Sequence, residues 1–402
     1  MKDKLYDILI HKDCCGCGAC VNVCPVDAID MNPDSEGFLY PLISDDICIH
    51  CNKCVKICPI LNITNIKQMS HNLAVFAGHL NDYHKLKSVT SGGAATAISE
   101  KIIKSGGVVF GVTWSNDFRS AYHRSAKTID ELEKFRGSRY IQSDKRFVYR
   151  EVKETLQTGC EVLFIGLPCE VAALKSFLQV DYSNLFTAEL ICHAVTSNKV
   201  AEDYLDYMES EHSGNPITYF SPRYTGDSWN KVYMRAEFAN GDAYQKEFFQ
   251  TEYGMAFMIF SRPSCYNCKY KGDSRVADIT LGDFWGMPKR HSAYNRYGVS
   301  NIFVHTEKGK RLVQRLDGFS LYDSDLEHAL LSQPLVSKST KLSPNRNLFA
   351  DVLKKEGLFA ACKNTGFKTF VRKQKIMGIL KYILFNWTPF KIQVFVIKYL
   401  YH

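Results

Sequence analysis

The stretch EVLFIGLPCEVAALKSFL, Glu161 to Leu178, decides the fold. A buried apolar strand stops at Gly166-Leu167-Pro168, and a helix opens with Cys169 in its first turn, the strand-to-helix unit of an α/β sheet. Working outward, LAVFAGH (73–79), VVFGVTW (108–114) and LFTAELICHA (185–194) read as further short buried strands. AATAISEKIIKSG (94–106) and DKRFVYREVKETLQ (144–157) have helical spacing, so the alternation predicts a largely parallel sheet. Thr128 with Glu131 forms a capping box, and Gly106-Gly107 ends the helix before VVFGV. Further on, KVYMRAEF and AYQKEF flank Asn240-Gly241, the signature of an antiparallel hairpin. From about residue 310 the chain reads mostly helical.

The chain has 402 residues, enough for two or three domains, and a net charge of +8 spread along its length. That distribution does not point to nucleic acid. The start MKDKLYDILIHKDCC lacks the apolar core of a signal peptide, so the fifteen cysteines are read in a reducing cytoplasm, where clustered thiols serve metals. No window is apolar for the ~18 residues of a spanning helix. The tail KIMGILKYILFNWTPFKIQVFVIKYLYH is broken by Lys381, Lys391, Lys398 and Pro389. It reads as two short packed helices, or as a basic apolar segment for peripheral membrane contact or partner docking.

Four regions follow: 1–62, cysteine-rich and poor in apolar runs; 73–214 and 215–345, the two parts of the α/β body; and 346–402, a helical basic-apolar tail. In the first, Cys14, Cys17, Cys20 and Cys24 precede Pro25, while Cys48, Cys51, Cys54 and Cys58 precede Pro59. Both fit C-x2-C-x2-C-x3-C-P. Three thiolates on a tight loop grip one cubane, and the fourth, carried off by the next segment, reaches the other. Cys14, Cys17, Cys20 and Cys58 are thus expected on one [4Fe-4S] cluster, and Cys48, Cys51, Cys54 and Cys24 on a second. Gly16 and Gly18 suit backbone that passes close to a cluster, and Cys15 falls outside the register as a non-ligand.

The larger region holds weaker signals. Ser91, Gly92 and Gly93 open the helix at 94, where exposed N–H groups could take a phosphate or simply cap the helix. FRGSRYIQS (135–143) offers Arg136, Ser138, Arg139, Tyr140 and Gln142 in a loop that also reads as a solvated turn. Cys169 stands at a strand's carboxyl end, where open α/β sheets bind ligands, and Cys192-His193 ends another strand. Cys160 and Cys362 lie apart, so Cys169, Cys192, Cys265 and Cys268 remain, four thiols suited to a third cubane or to a zinc ion.

With GLPCEVAALK, ICHA, CYNCKY, ADITLGDFWG, SGGAATAI and FRGSRYIQS taken in order, nearly the whole chain resembles the coenzyme F-420 hydrogenase/dehydrogenase beta-subunit family, preceded by a two-[4Fe-4S] ferredoxin domain. The resemblance implies FAD beside a third [4Fe-4S] cluster held by Cys169, Cys192, Cys265 and Cys268. It implies a pyrophosphate site at Ser91, Gly92, Gly93 and Thr96, with Ser138, Arg139, Tyr140 and Gln142 lining the flavin pocket. His193, Asp283 and Trp285 would lie near the flavin or the cluster. The expectation is a cytoplasmic α/β iron-sulfur flavoprotein oxidoreductase with a bacterial-ferredoxin-like domain, an added hairpin and a helical C-terminal region. It would move electrons between its clusters and a small organic hydride donor or acceptor, with a soluble ferredoxin or a redox subunit as partner. A non-catalytic electron-transfer subunit and a reductase in glycan biosynthesis are the alternatives. No catalytic acid or base is identifiable.

Overall fold

The computed structural model describes residues 13–65, 72–226, 228–229, 231–272 and 275–387. Near the start, strands β1 (Ile29–Pro33) and β2 (Leu39–Ile43) pair as an antiparallel ribbon, flanked in the chain by the short helices Ala19–Val23 and Lys53–Lys56. There follow β3 (Ala74–Leu80), β4 (Val108–Trp114), β5 (Ala121–Ala126), β6 (Ser143–Asp144), β7 (Val162–Gly166) and β8 (Leu185–Leu190). Next come β9 (Ile217–Tyr224), β10 (Tyr233–Phe238) and β11 (Ala243–Glu247), then β12 (Ile279–Asp283), β13 (Ser300–Val304) and β14 (Phe319–Asp323). One mixed sheet runs β14-β3-β13-β12-β8-β7-β4-β5-β6, and β11-β10-β9 form a second, antiparallel sheet.

The centre of the large sheet, β12-β8-β7-β4, is parallel, as strands feeding helices require. Its flanks are mixed: β4 with β5, β12 with β13, and β3 with both β13 and β14 are antiparallel, while β5 with β6 is parallel. The expected largely parallel sheet therefore holds for the core and the β5–β6 edge. Where a connection is short, as between Trp114 and Ala121, the chain can only turn straight back. Eight strands were not anticipated: β1, β2, β5, β6, β9, β12, β13 and β14. β14 lies inside the stretch read as helical, and β9 adds a third strand to the β10–β11 hairpin, whose turn carries Gly241 at φ +89.

Alternation along β7 divides its side chains between two layers. Val162 and Phe164 pack with Val152, Leu156, Val171 and Leu174 of the helices Val148–Gln157 and Pro168–Leu178. Leu163 faces the other way, with Ile98 and Ile102 of Ala94–Lys104. All three strand residues are fully buried, which stabilises by roughly 1.5–3 kcal/mol each. The expected capping box is present, with Glu131 N–H donating to Thr128 Oγ1 and Thr128 N–H to Glu131 Oε2, each at 3.3 Å. A third core joins Phe38 of the N-terminal segment to Phe260, which precedes Cys265, and to Phe349, Leu353 and Cys362 of the helical C-terminal part. The helix Phe367–Trp387 closes the described chain. Beyond it the tail expectation lies outside the described residues, and no described helix is long and apolar enough to cross a membrane.

The N-terminal segment is fastened to the sheet by Asn22, which is 2% exposed. Its Nδ2 donates to Gly18 O at 2.9 Å and Arg146 O at 2.8 Å, while Oδ1 accepts from the N–H of Tyr149 at 3.0 Å and Arg150 at 3.3 Å. Asn22→Ala strips partners from buried backbone groups on both sides of this seam. It is expected to destabilise the protein by about 1–3 kcal/mol, read as a lowered urea midpoint with the slope unchanged.

Candidate functional site

Two hollows open in the N-terminal segment. One is lined by Cys24, Cys48, Cys51 and Cys54 among Val26, Ile29, Ile43 and Ile49. The other is lined by Cys14, Cys17, Cys20 and Cys58, with Cys15, Met31, Pro41 and Ile60. The chain thus gathers its cysteines crosswise, the last thiol of each motif crossing to the other motif's three. Ala28 N–H donates to Cys24 Sγ at 3.2 Å. Gly16 and Gly18 adopt left-handed backbone, at φ +65 and +71; both line the second hollow, and both also pack against the larger body. A Cβ on Gly16 would stand 2.1 Å from Gln142 Nε2, and one on Gly18 3.1 Å from Lys145 Cβ.

The third quartet assembles from three distant places. Cys169 opens the helix Pro168–Leu178, Cys192 follows β8, Cys265 sits in the turn Pro263–Asn267, and Cys268 directly follows it. Burial pushes the Cys192 thiol well up. Lys271 opposes that shift, and Cys265, Cys169 and Cys268 add to it. Burial likewise pushes Cys265 up to about 12, with Cys169 and Cys268 again adding. Left to themselves these thiols stay protonated, so a positive centre is needed to hold them as thiolates. Among the described residues, no three His, Cys, Asp or Glu side chains converge on a single-ion position.

Cys15, set aside as a non-ligand, lies at the junction of two quartets. Hydrogen-bonding contact with Cys169 and with Cys17, together with burial, pushes its thiol far up. Around it, Tyr149 donates to Cys17 O at 2.8 Å and Tyr270 to Pro59 O at 3.1 Å. Lys145 pairs with Glu170 at 2.5 Å, both almost fully buried, and Glu170 also faces His123 at 3.5 Å. Lys145 holds the Glu170 carboxyl down to about 2 against the opposing effect of burial.

Other expected contacts gather around Arg223, a residue the sequence did not single out. Its Nη2 lies 2.8 Å from Asp283 Oδ1, and its guanidinium stands over Trp285 at 4.9 Å, with Trp285 stacked on Trp229 at 4.8 Å. Tyr140 is held up chiefly by burial while Arg223 draws it down, and it shares hydrogen bonds with Arg223 and Ser138. The Asp283 carboxyl is raised by burial, with Arg223 and then Ser91 opposing. Phe257 bridges Tyr140 at 4.6 Å and His193 at 4.7 Å. Burial takes His193 down to about 4, so it is neutral at neutral pH, with Nε2 3.3 Å from Thr340 Oγ1.

Four expected residues face other work. The Arg139 guanidinium donates to the carbonyls of Phe135, Arg136, Gly137 and Lys134 in its own loop, and burial takes it down to about 10. Gln142 joins the N-terminal segment to the larger body, accepting from Leu39 N–H at 2.9 Å and donating to Leu39 O at 3.3 Å and Gly16 O at 3.4 Å. The N–H groups of Gly92 and Ala94 donate to Ser300 Oγ at 3.0 and 3.2 Å, and a Cβ on Gly92 would meet Gly78 O at 2.2 Å. Gly93, at φ +79, would set a Cβ 2.4 Å from Leu80 Cδ1. That glycine pair is a packed helix entry, and only Thr96 of the expected phosphate set is half-buried on the first turn.

Two family models match separate segments of the chain. Residues 13–61 match a 4Fe-4S dicluster domain, and residues 159–318 match the family model for the C terminus of the coenzyme F420 hydrogenase/dehydrogenase beta subunit. Over residues 159–318 the chain is similar to the C-terminal region of that beta subunit. That family region spans β7 to β13 and contains Cys160, Cys169, Cys192, Cys265 and Cys268 together with Arg223. A solved structure of the F420-reducing [NiFe] hydrogenase complex from Methanosarcina barkeri, a xenon derivative, has a chain 18% identical to this one. Its TM-score is 0.46, and the match covers 74% of this chain and 92% of that one. No curated protein matches the sequence.

Proposed function

We propose that the protein is an iron-sulfur flavoprotein oxidoreductase that moves electrons between ferredoxin-type clusters and a small organic hydride donor or acceptor. The observation that carries the reading is the contiguity of three cysteine quartets: the outer packs beside the inner, and the inner touches the third through Cys15. Cys24, Cys48, Cys51 and Cys54 would hold the outer [4Fe-4S] cluster, and Cys14, Cys17, Cys20 and Cys58 the inner one. Cys169, Cys192, Cys265 and Cys268 would hold the third.

FAD would supply the exchange between a hydride and single electrons. Within the chain, Arg223 and Asp283 orient a polar edge, Trp285 on Trp229 offers a flat apolar face, and Ser91, Ser138, Tyr140 and neutral His193 provide hydroxyl and imidazole contacts. Arg223 carries the only full positive charge in that constellation, and an anionic cofactor or substrate fits beside it. Cys51 and its neighbours Ile47 and Ile49 are exposed, so a soluble ferredoxin or a partner subunit would exchange electrons on that face.

Iron, zinc and flavin per chain, measured after anaerobic purification, test the reading. About twelve irons and one FAD are expected. About eight irons with one zinc would remove the third cluster. Full iron without flavin would leave a non-catalytic electron-transfer subunit.

A further inference from the structure

Four buried cationic side chains and the half-buried Lys271 lie near the cysteine quartets and the Arg223 site, and their partners differ. Lys145 faces Glu170, Arg223 faces Asp283 and Arg275 faces Glu189. Arg262 and Lys271 face no carboxylate among the described residues. Lys271 donates to the carbonyls of Cys192 and Leu335. Arg262 is completely buried, the largest fully buried side chain among the described residues. Its Nε donates to Cys14 O at 2.8 Å, and Nη1 to Leu39 O and Gln142 Oε1, each at 3.0 Å. Its Nη2 points at Cys14 Sγ from 3.8 Å, and its planar head lies 3.9 Å over the Tyr40 ring. Three residues on, Cys265 N–H donates to Arg262 O at 2.9 Å.

A guanidinium stays charged at any ordinary pH, and stranding a charge in a dry interior costs several kcal/mol unless an opposite charge answers it. Carbonyls and an aromatic ring answer part of that demand. Cys14, which the side chain meets, and Cys265, whose N–H the Arg262 carbonyl accepts, belong to different quartets. A cubane in four thiolates bears net negative charge, and one more negative charge when reduced.

We infer that Arg262 is the positioning residue of electron transfer between the inner N-terminal cluster and the third cluster, their shared counter-ion. This inference rests on the cluster reading above. The step is one-electron: either cluster is oxidised by one electron as the other is reduced by one, and no bond is made or broken. Arg262 favours the reduced form of both partners, keeping their potentials matched and the electron at the junction. The outer cluster, at Cys24, Cys48, Cys51 and Cys54, has no such buried cation beside it among the described residues.

The test uses the full chain with its clusters, titrated anaerobically with a reductant and followed by electron paramagnetic resonance, after iron has been counted. About twelve irons in the unmodified chain upholds the cluster reading, and about eight defeats that reading irrespective of Arg262. Given full iron, Arg262→Gln is expected to make reduction of the inner and third clusters at least tenfold less favourable. For one electron that is about 59 mV, with the outer cluster unmoved. Arg262→Lys keeps the charge and is expected to keep the potentials. Gln142→Glu sets a carboxylate beside Nη1 and is expected to lower the same two potentials with Arg262 in place, which preserves the test if the Gln variant fails to assemble. Unchanged inner and third potentials in both neutralising variants would overturn the proposal, as would equal shifts for Arg262→Lys and Arg262→Gln.

Discussion

Cys265→Ala is expected to lose about four of about twelve irons while the N-terminal pair of clusters persists. Cys265 comes from the turn Pro263–Asn267, and removing its thiol leaves Cys268 directly after that turn and two ligands, Cys169 and Cys192, from distant points of the chain. Burial and neighbouring cysteines push the Cys192 and Cys268 thiols up, and both revert to the neutral form once the positive centre is gone. Iron count and resonance spectrum read the result together: two N-terminal signals retained, one signal absent. Loss of all the iron would mean that the third quartet is required to build the first two. Retention of all twelve would show that Cys265 is not a ligand. Cys15→Ala is the internal control, expected to leave the iron count unchanged.

Glu170→Ala is expected to destabilise the protein by about 3–5 kcal/mol. Lys145 and Glu170 are 4% and 3% exposed and 2.5 Å apart, so truncating the carboxylate leaves a buried ammonium with no counter-charge. The same change removes the acceptor for Leu167 N–H, at 2.8 Å, which shapes the turn before Cys169. Urea unfolding under anaerobic conditions measures the loss. The paired replacement Glu170→Leu with Lys145→Met removes the charges together and is expected to recover most of it, because apolar residues of similar size replace a buried ion pair at little cost. A double variant as unstable as Glu170→Ala would show that the stranded charge is not the cause.

Several features were legible because their causes are local. A strand such as VLFIG is apolar throughout because both faces of its sheet are covered, and Pro168 at the first position of the next helix marks where it turns. The doubled C-x2-C-x2-C-x3-C-P spacing is dictated by a loop wrapped on a cubane, so spacing alone foretells the crosswise grouping of Cys24 and Cys58. The Asn240-Gly241 turn and the Thr128 capping box are likewise short-range devices. Strands β9 and β14 escaped notice because they are held by partners elsewhere in the chain. β14 pairs with β3 more than two hundred residues earlier, and FSLYD has no helix- or strand-specific spacing of its own.

Residue chemistry and spacing alone determined that this chain handles iron-sulfur clusters, that an α/β body follows them, and that four further thiols await a common purpose. Only tertiary structure decided how these parts meet. It turned Gln142 and Arg139 from cofactor contacts into structural fastenings, drew Arg223 to Asp283, and set Cys15 between two quartets. It also buried Arg262 without a carboxylate between Cys14 and Cys265. The physical reason is one of range: thiol spacing and turns act over a few residues, whereas a buried charge is answered by whatever folding brings beside it, here residues 248 positions apart.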